Sequence, residues 1–77
     1  MDIIKNIMGK RYKLSLEDEK YLNILQKMNG LDLLQEQKKE QVTMGVADAN
    51  EDFILYSIAE HSHKLIEAVI LSRMKNN

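Results

Sequence analysis

From Ala49 to Lys75 the apolar residues of this chain recur with the period of an α-helix. Plotted at ~100° per residue, Ile54, Leu55, Ile58, Ala59, Leu65, Ile66, Val69 and Ile70 fill one wide, continuous sector. A single neighbouring helix cannot cover so broad a stripe, so this segment is expected to be the central element of an all-α fold. Phe53 and Leu71 fall outside the sector, and Tyr56 and Met74 point away from its centre. The ends of the helix therefore need apolar contacts on a second side, from another part of the chain or from a second subunit.

The rest of the chain favours helices as well. It has no proline and only three glycines, and one Phe and three Tyr are too few aromatics for a β-sandwich. Gly9, Gly30 and Gly45 divide it into four segments, each with a helix start. Asp2 can cap a short helix over 2–8 that carries Ile3, Ile4, Ile7 and Met8, with Gly9 as its stop. Ser15 followed by Asp18 opens a second helix over 16–29 with a capping-box pattern, and Tyr21, Leu22, Ile24, Leu25 and Met28 form its stripe. Asn29-Gly30 is expected to end it in a left-handed turn. Asp32 with Gln35 repeats the pattern for a third helix over 32–44, whose apolar stripe is thin. Asp48 with Glu51 introduces the fourth, over 49–75. The expected fold is a small helical bundle in one domain, a short N-terminal helix plus three main helices with a long C-terminal one.

A chain of 77 residues buries only roughly 60% of the surface its unfolded form exposes, so its core alone is marginal. Without cysteine, neither a disulfide nor a thiolate zinc site can supplement it. Self-association is the remaining common remedy, and a homodimer is expected. No apolar run approaches the ~20 residues of a membrane span. The N-terminus has no signal-peptide h-region, so a cytoplasmic location is expected. The net charge of −1 is unevenly spread: residues 1–14 carry +3, residues 15–52 carry −5, and residues 53–77 carry +1. Nine acids between residues 15 and 52 disfavour nucleic acid as a partner. Lys10, Arg11 and Lys13 form the one basic cluster.

Four patterns invite a chemical reading. In "AEHSHKLIE" (59–67), Glu60, His63 and Glu67 share a helix face at a spacing used by di-iron carboxylate bundles. One copy supplies too few ligands, and Glu60–Lys64 and His63–Glu67 are better explained as i, i+4 pairs on a solvated face. His61 and His63 diverge by ~160° and cannot share a metal within one helix. His61 lies at the edge of the apolar sector, where a boundary or interface role suits it.

"DANEDF" (48–53) begins like a calcium loop but places Phe53 where the turn needs glycine and Ala59 where it needs a bidentate glutamate. Residues 15–44 have the length of a helix-turn-helix, yet the outer face of the second helix mixes Glu36, Lys38, Lys39 and Glu40, which does not suit phosphate. Finally, "DIIKNIM" could rest on an anionic membrane, but at barely two turns it suits docking on its own bundle better. Ser57, Ser62 and Ser72 sit in helix patterns with no strained elbow, and no Gly-rich loop could cradle phosphate.

No enzyme site, cofactor or metal is expected. The reading is a non-enzymatic protein–protein interaction module, a small regulator, inhibitor, adaptor or assembly factor working through helix faces. The alternatives are a helix-turn-helix-like DNA-binding regulator and, more distantly, a metal-carboxylate helical protein. The expected partner or self-interface residues are Phe53, Tyr56, Ile58, His61, Leu65, Leu71 and Met74. Ile3, Ile4, Ile7, Lys10, Arg11 and Lys13 are the expected N-terminal docking or basic patch.

Overall fold

The second, third and fourth helices each begin where a side chain accepts from an orphan N–H group of the first turn. The computed structural model, which describes residues 2–9 and 13–75, contains α1 (Asp2–Met8), α2 (Leu16–Gln26), α3 (Gly30–Ala49) and α4 (Phe53–Lys75). The described residues form an all-α bundle in which the long C-terminal helix packs against the other three. α2 opens with the expected capping box: Asp18 N–H donates to Ser15 Oγ at 3.1 Å, and Ser15 N–H donates to Asp18 Oδ2 at 3.0 Å.

The boundaries of α3 and α4 differ from the expected ones, for reasons visible in the caps. Asn29 does not end α2 in a left-handed turn. Its φ is −74°, and its Oδ1 accepts from Asp32 N–H at 2.8 Å, so it is the N-cap of α3. α2 stops earlier, at Gln26, with Lys27 as its C-cap. Gly45 does not stop α3 either, because a glycine permits a break without compelling one, at a cost of about 1 kcal/mol inside a helix. The helix runs on through Asp48, which therefore cannot cap α4.

The break comes at 50–52. Glu51 takes a φ of 55°, its N–H donates to Asp48 O, and Asp52 N–H donates to Ala47 O. This is a Schellman motif with glutamate at the position that favours glycine. Asp52 then serves twice, since its Oδ1 accepts from Leu55 N–H at 3.1 Å and so caps α4. So tight a link lays α3 antiparallel along α4. At α1, by contrast, Gly9 is the expected stop, with a φ of 91°.

Two polar contacts fix α2 on α4. His61 Nε2 lies 2.7 Å from Asp18 Oδ1 at the start of α2. At its other end, Arg73 donates to the carbonyls of Gln26 (3.0 Å) and Met28. The helix thus runs in the same direction as α4 and spans only the His61–Arg73 part of it. α2 has no basic residue in its own last turn, so the guanidinium of α4 supplies the positive charge its C-terminal carbonyls favour.

The core lies in this half of the molecule. Ile4 from α1, Leu22 and Leu25 from α2, Leu33 from α3, and Leu65, Ile66, Ala68 and Val69 from α4 form one buried cluster. Ile7 and Met8 of α1 pack against it, with Leu14, Tyr21, Met28 and Ile70. Docking of "DIIKNIM" on its own bundle is therefore what the fold uses for Ile4 and Ile7. Lys13 is exposed, whereas Lys10, Arg11 and the Ile3 side chain lie outside the described residues.

Candidate interaction surface

Beyond α2 the molecule continues as a two-helix hairpin made of the C-terminal half of α3, the 50–52 turn and the first turns of α4. Between residues 40 and 60 only Ala47 and Ala59 are buried, pressed between the two helices. The large apolar side chains of the same stretch stay out of the core. Val42 is 59% exposed, Val46 52%, Ile54 78%, Leu55 37% and Ile58 60%.

These residues share one face, and the helix period shows which. His61, Leu65, Val69 and Arg73 of α4 lie toward α2, because His61 and Arg73 bond to its two ends. Ile58 precedes Leu65 by seven residues and Ile54 by eleven, so both fall on the same stripe, roughly two and three turns earlier. On the antiparallel α3, Glu36 meets Tyr21 of α2, and Val46 lies ~80° around the helix from Glu36, bordering this face, with Val42 one turn earlier at its outer edge, ~120° from Glu36. The stripe that α2 covers at Leu65 and Val69 therefore runs on, uncovered, past the end of α2. Phe53 is 76% exposed but sits ~140° around the helix from Ile58, on the other flank.

The other expected interface residues separate into three groups. Leu65 is 1% exposed and belongs to the core, not to a free surface. Tyr56 is half-buried. Leu71 and Met74 are exposed near the far end of α4. There Met74 and Ile70 line a groove of about 250 Å³ with Gly30, Leu33, Leu34 and Arg73. Sequence reasoning missed Val42 and Val46 as members of the hairpin face, because α3 was expected to stop near Gly45, before Val46 and the turn that aligns the two helices.

The "AEHSHKLIE" stretch is not a fully solvated face. His61 reaches across to Asp18, and Ala59, Leu65 and Ile66 are buried. His63 is largely buried, with Nδ1 2.8 Å from Glu67 Oε1, and its Nε2 is enclosed without a hydrogen-bond partner among the described residues. A carboxylate at Nδ1 favours the proton there and leaves Nε2 as a bare acceptor. Lys64 lies 3.7 Å from Glu60. Among the described residues, no three His, Asp or Glu side chains converge as metal ligands.

Electrostatics in this half of the molecule tie α2 down. Burial raises the pKa of Asp18, but hydrogen bonds from the Ser15 backbone and from His61 outweigh it and hold the carboxyl below its ordinary value. Tyr21 on α2 donates its hydroxyl to Glu36 Oε2 on α3 at 3.4 Å. Burial, then the carboxylates of Glu36 and Glu40, push its pKa up to about 12. The first contact fastens α2 to α4 and the second fastens it to α3.

Among the described residues, no helix is long and apolar enough to cross a membrane. No protein-family model, curated protein or solved structure matches this chain.

Proposed function

We propose that this chain is a non-enzymatic protein–protein interaction module that works through the uncovered apolar face of its α3–α4 hairpin. One observation carries the reading. The apolar stripe of α4 extends past the helix that covers it, leaving Ile54, Leu55 and Ile58, with Val42 and Val46 of α3, exposed on a projection that buries only two alanines. Helices in proteins are held mainly by packing of an apolar face, so a projecting hairpin with so little burial is under-supported on its own. The largest contiguous apolar patch on a small protein is often functional. Lys38 and Lys39, which line a shallow groove with Val42 at the end of the patch away from the turn, give it a polar border, as protein interfaces have. A regulator, adaptor or assembly role in the cytoplasm fits such a surface.

Photo-cross-linking in cells tests the reading. With a photoreactive side chain placed at position 46 or 58, the expected result is an adduct of defined mass, whether with this chain or another protein. Adducts equally abundant from position 41, exposed on the opposite side of α3, or none from 46 and 58, overturn it.

A further inference from the structure

Building on the interaction surface proposed above, we infer that its occupant is a second copy of this chain, stacked hairpin on hairpin in antiparallel fashion about a two-fold axis. Three features argue for it.

The first is area. Val42, Val46, Ile54, Leu55 and Ile58, each between 37% and 78% exposed, leave on the order of 500 Å² of apolar surface. A standard interface buries about 800 Å² per partner, somewhat over half of it apolar, so the patch supplies what one side of a dimer needs.

The second is self-complementarity. A two-fold interface sets a patch against itself, which penalises any charge near the axis. These five side chains carry none. The acids of the region, Asp48, Glu51 and Asp52, sit at or beside the turn, and Lys39, on Val46's stripe beside Val42, is two turns or about 10 Å from the axis.

The third is shape. α2 covers the same face from His61 onward, so two copies stacked in parallel would bring their α2 helices into collision. In the antiparallel arrangement each projecting hairpin end lies in the space beside the other's α2. Residues 53–60 give that projection a length of about 12 Å in both copies, so hairpin and gap match. The axis then crosses the hairpin near Val46 on α3 and near Tyr56 on α4, setting Ile54 opposite Ile58 of the other copy. The result is a four-helix layer that buries both exposed stripes at once.

The purified chain tests this. Sedimentation equilibrium is expected to give twice the chain mass at micromolar concentration. Ile58→Asp should keep its helical circular dichroism and raise the dimer dissociation constant at least a hundredfold. Val46→Lys, on the other helix of the face, should do the same and stands in should Ile58→Asp fail to fold. The chain has no cysteine of its own, so Val46→Cys, placed near the axis, reports on geometry: it should form a disulfide-linked dimer on mild oxidation at least tenfold faster than Leu31→Cys at the far end. A monomer at high micromolar concentration overturns the inference. So does a dimer indifferent to both charged variants, or one in which Val46→Cys links no faster than Leu31→Cys. If the chain is monomeric but positions 46 and 58 cross-link to a different protein in cells, the stacking falls while the module reading stands. If no adduct forms there either, both fall.

Discussion

Truncating Leu65 and Ile58 to alanine separates the covered half of the α4 stripe from the uncovered half. The two residues lie on the same face of the same helix, seven positions apart, yet Leu65 is 1% exposed and Ile58 60% exposed. Leu65→Ala removes a fully packed side chain from the cluster with Leu22, Leu25 and Val69, and such truncations cost about 2–5 kcal/mol. A chain of this length has total stability on the order of 4–12 kcal/mol, so the variant should unfold at markedly lower urea. Ile58→Ala loses two-fifths of a burial contribution of roughly 2.5 kcal/mol, about 1 kcal/mol, and regains about 0.4 kcal/mol because alanine is the better helix former. Its net loss in the isolated chain should be about 0.5 kcal/mol. Urea unfolding followed at 222 nm, at two protein concentrations a hundredfold apart, measures both. The Leu65→Ala loss should be substantial at either concentration, whereas the Ile58→Ala loss should grow with concentration as the second copy is lost. A loss of more than about 2 kcal/mol for Ile58→Ala in dilute protein would refute the reasoning, since that size requires Ile58 to be packed within one chain.

Three further outcomes follow from the contacts. Glu51 holds a φ of 55° at the end of α3, so Glu51→Gly should stabilise the fold by about 0.5–1 kcal/mol and Glu51→Val should destabilise it by about 1–2 kcal/mol in the same urea assay. Arg73→Met keeps much of the side-chain stem but strips the C-terminal carbonyls of α2 of their charged donor; a loss of about 1–2 kcal/mol is expected, with amide exchange accelerating most in residues 16–26. Tyr21 has a folded pKa of about 12 against an ordinary value of 10.0, so the unfolded chain releases this proton first. The stability it contributes is complete below pH 10 and is lost as pH rises towards 12. Absorbance titration should show a late-ionising tyrosine that is lost in Tyr21→Phe, and the same variant should remove the alkaline sag in stability.

The helices and their number were legible because the local signals are dense. Ser15 with Asp18 is a capping box in sequence and in structure, and the stripe of α4 is long enough to be unmistakable. The α3–α4 boundary was harder, because two signals competed. Gly45 resembles a stop, whereas the real stop uses Glu51, a residue with no preference for a left-handed backbone, and only the hydrogen bonds to Ala47 and Asp48 reveal it. The interaction face suffered from the same ambiguity. Ile58 and the other apolar residues of α4 could be recognised as a stripe too wide for one neighbour. Which part of it stays bare depends on where α2 lies, and that is set by His61–Asp18 and by Arg73 against the end of α2. Partners more than forty positions apart leave no periodic trace in one sequence.

The most direct test of the account is amide hydrogen exchange along the chain as a function of its concentration. In dilute solution, residues 42–58 should exchange much faster than residues 61–73 of α4, which lie under α2. On concentration, protection should rise at 42–58 and stay unchanged at 61–73. Uniform protection along α4 at every concentration would contradict the claim that the hairpin face is left open for a partner.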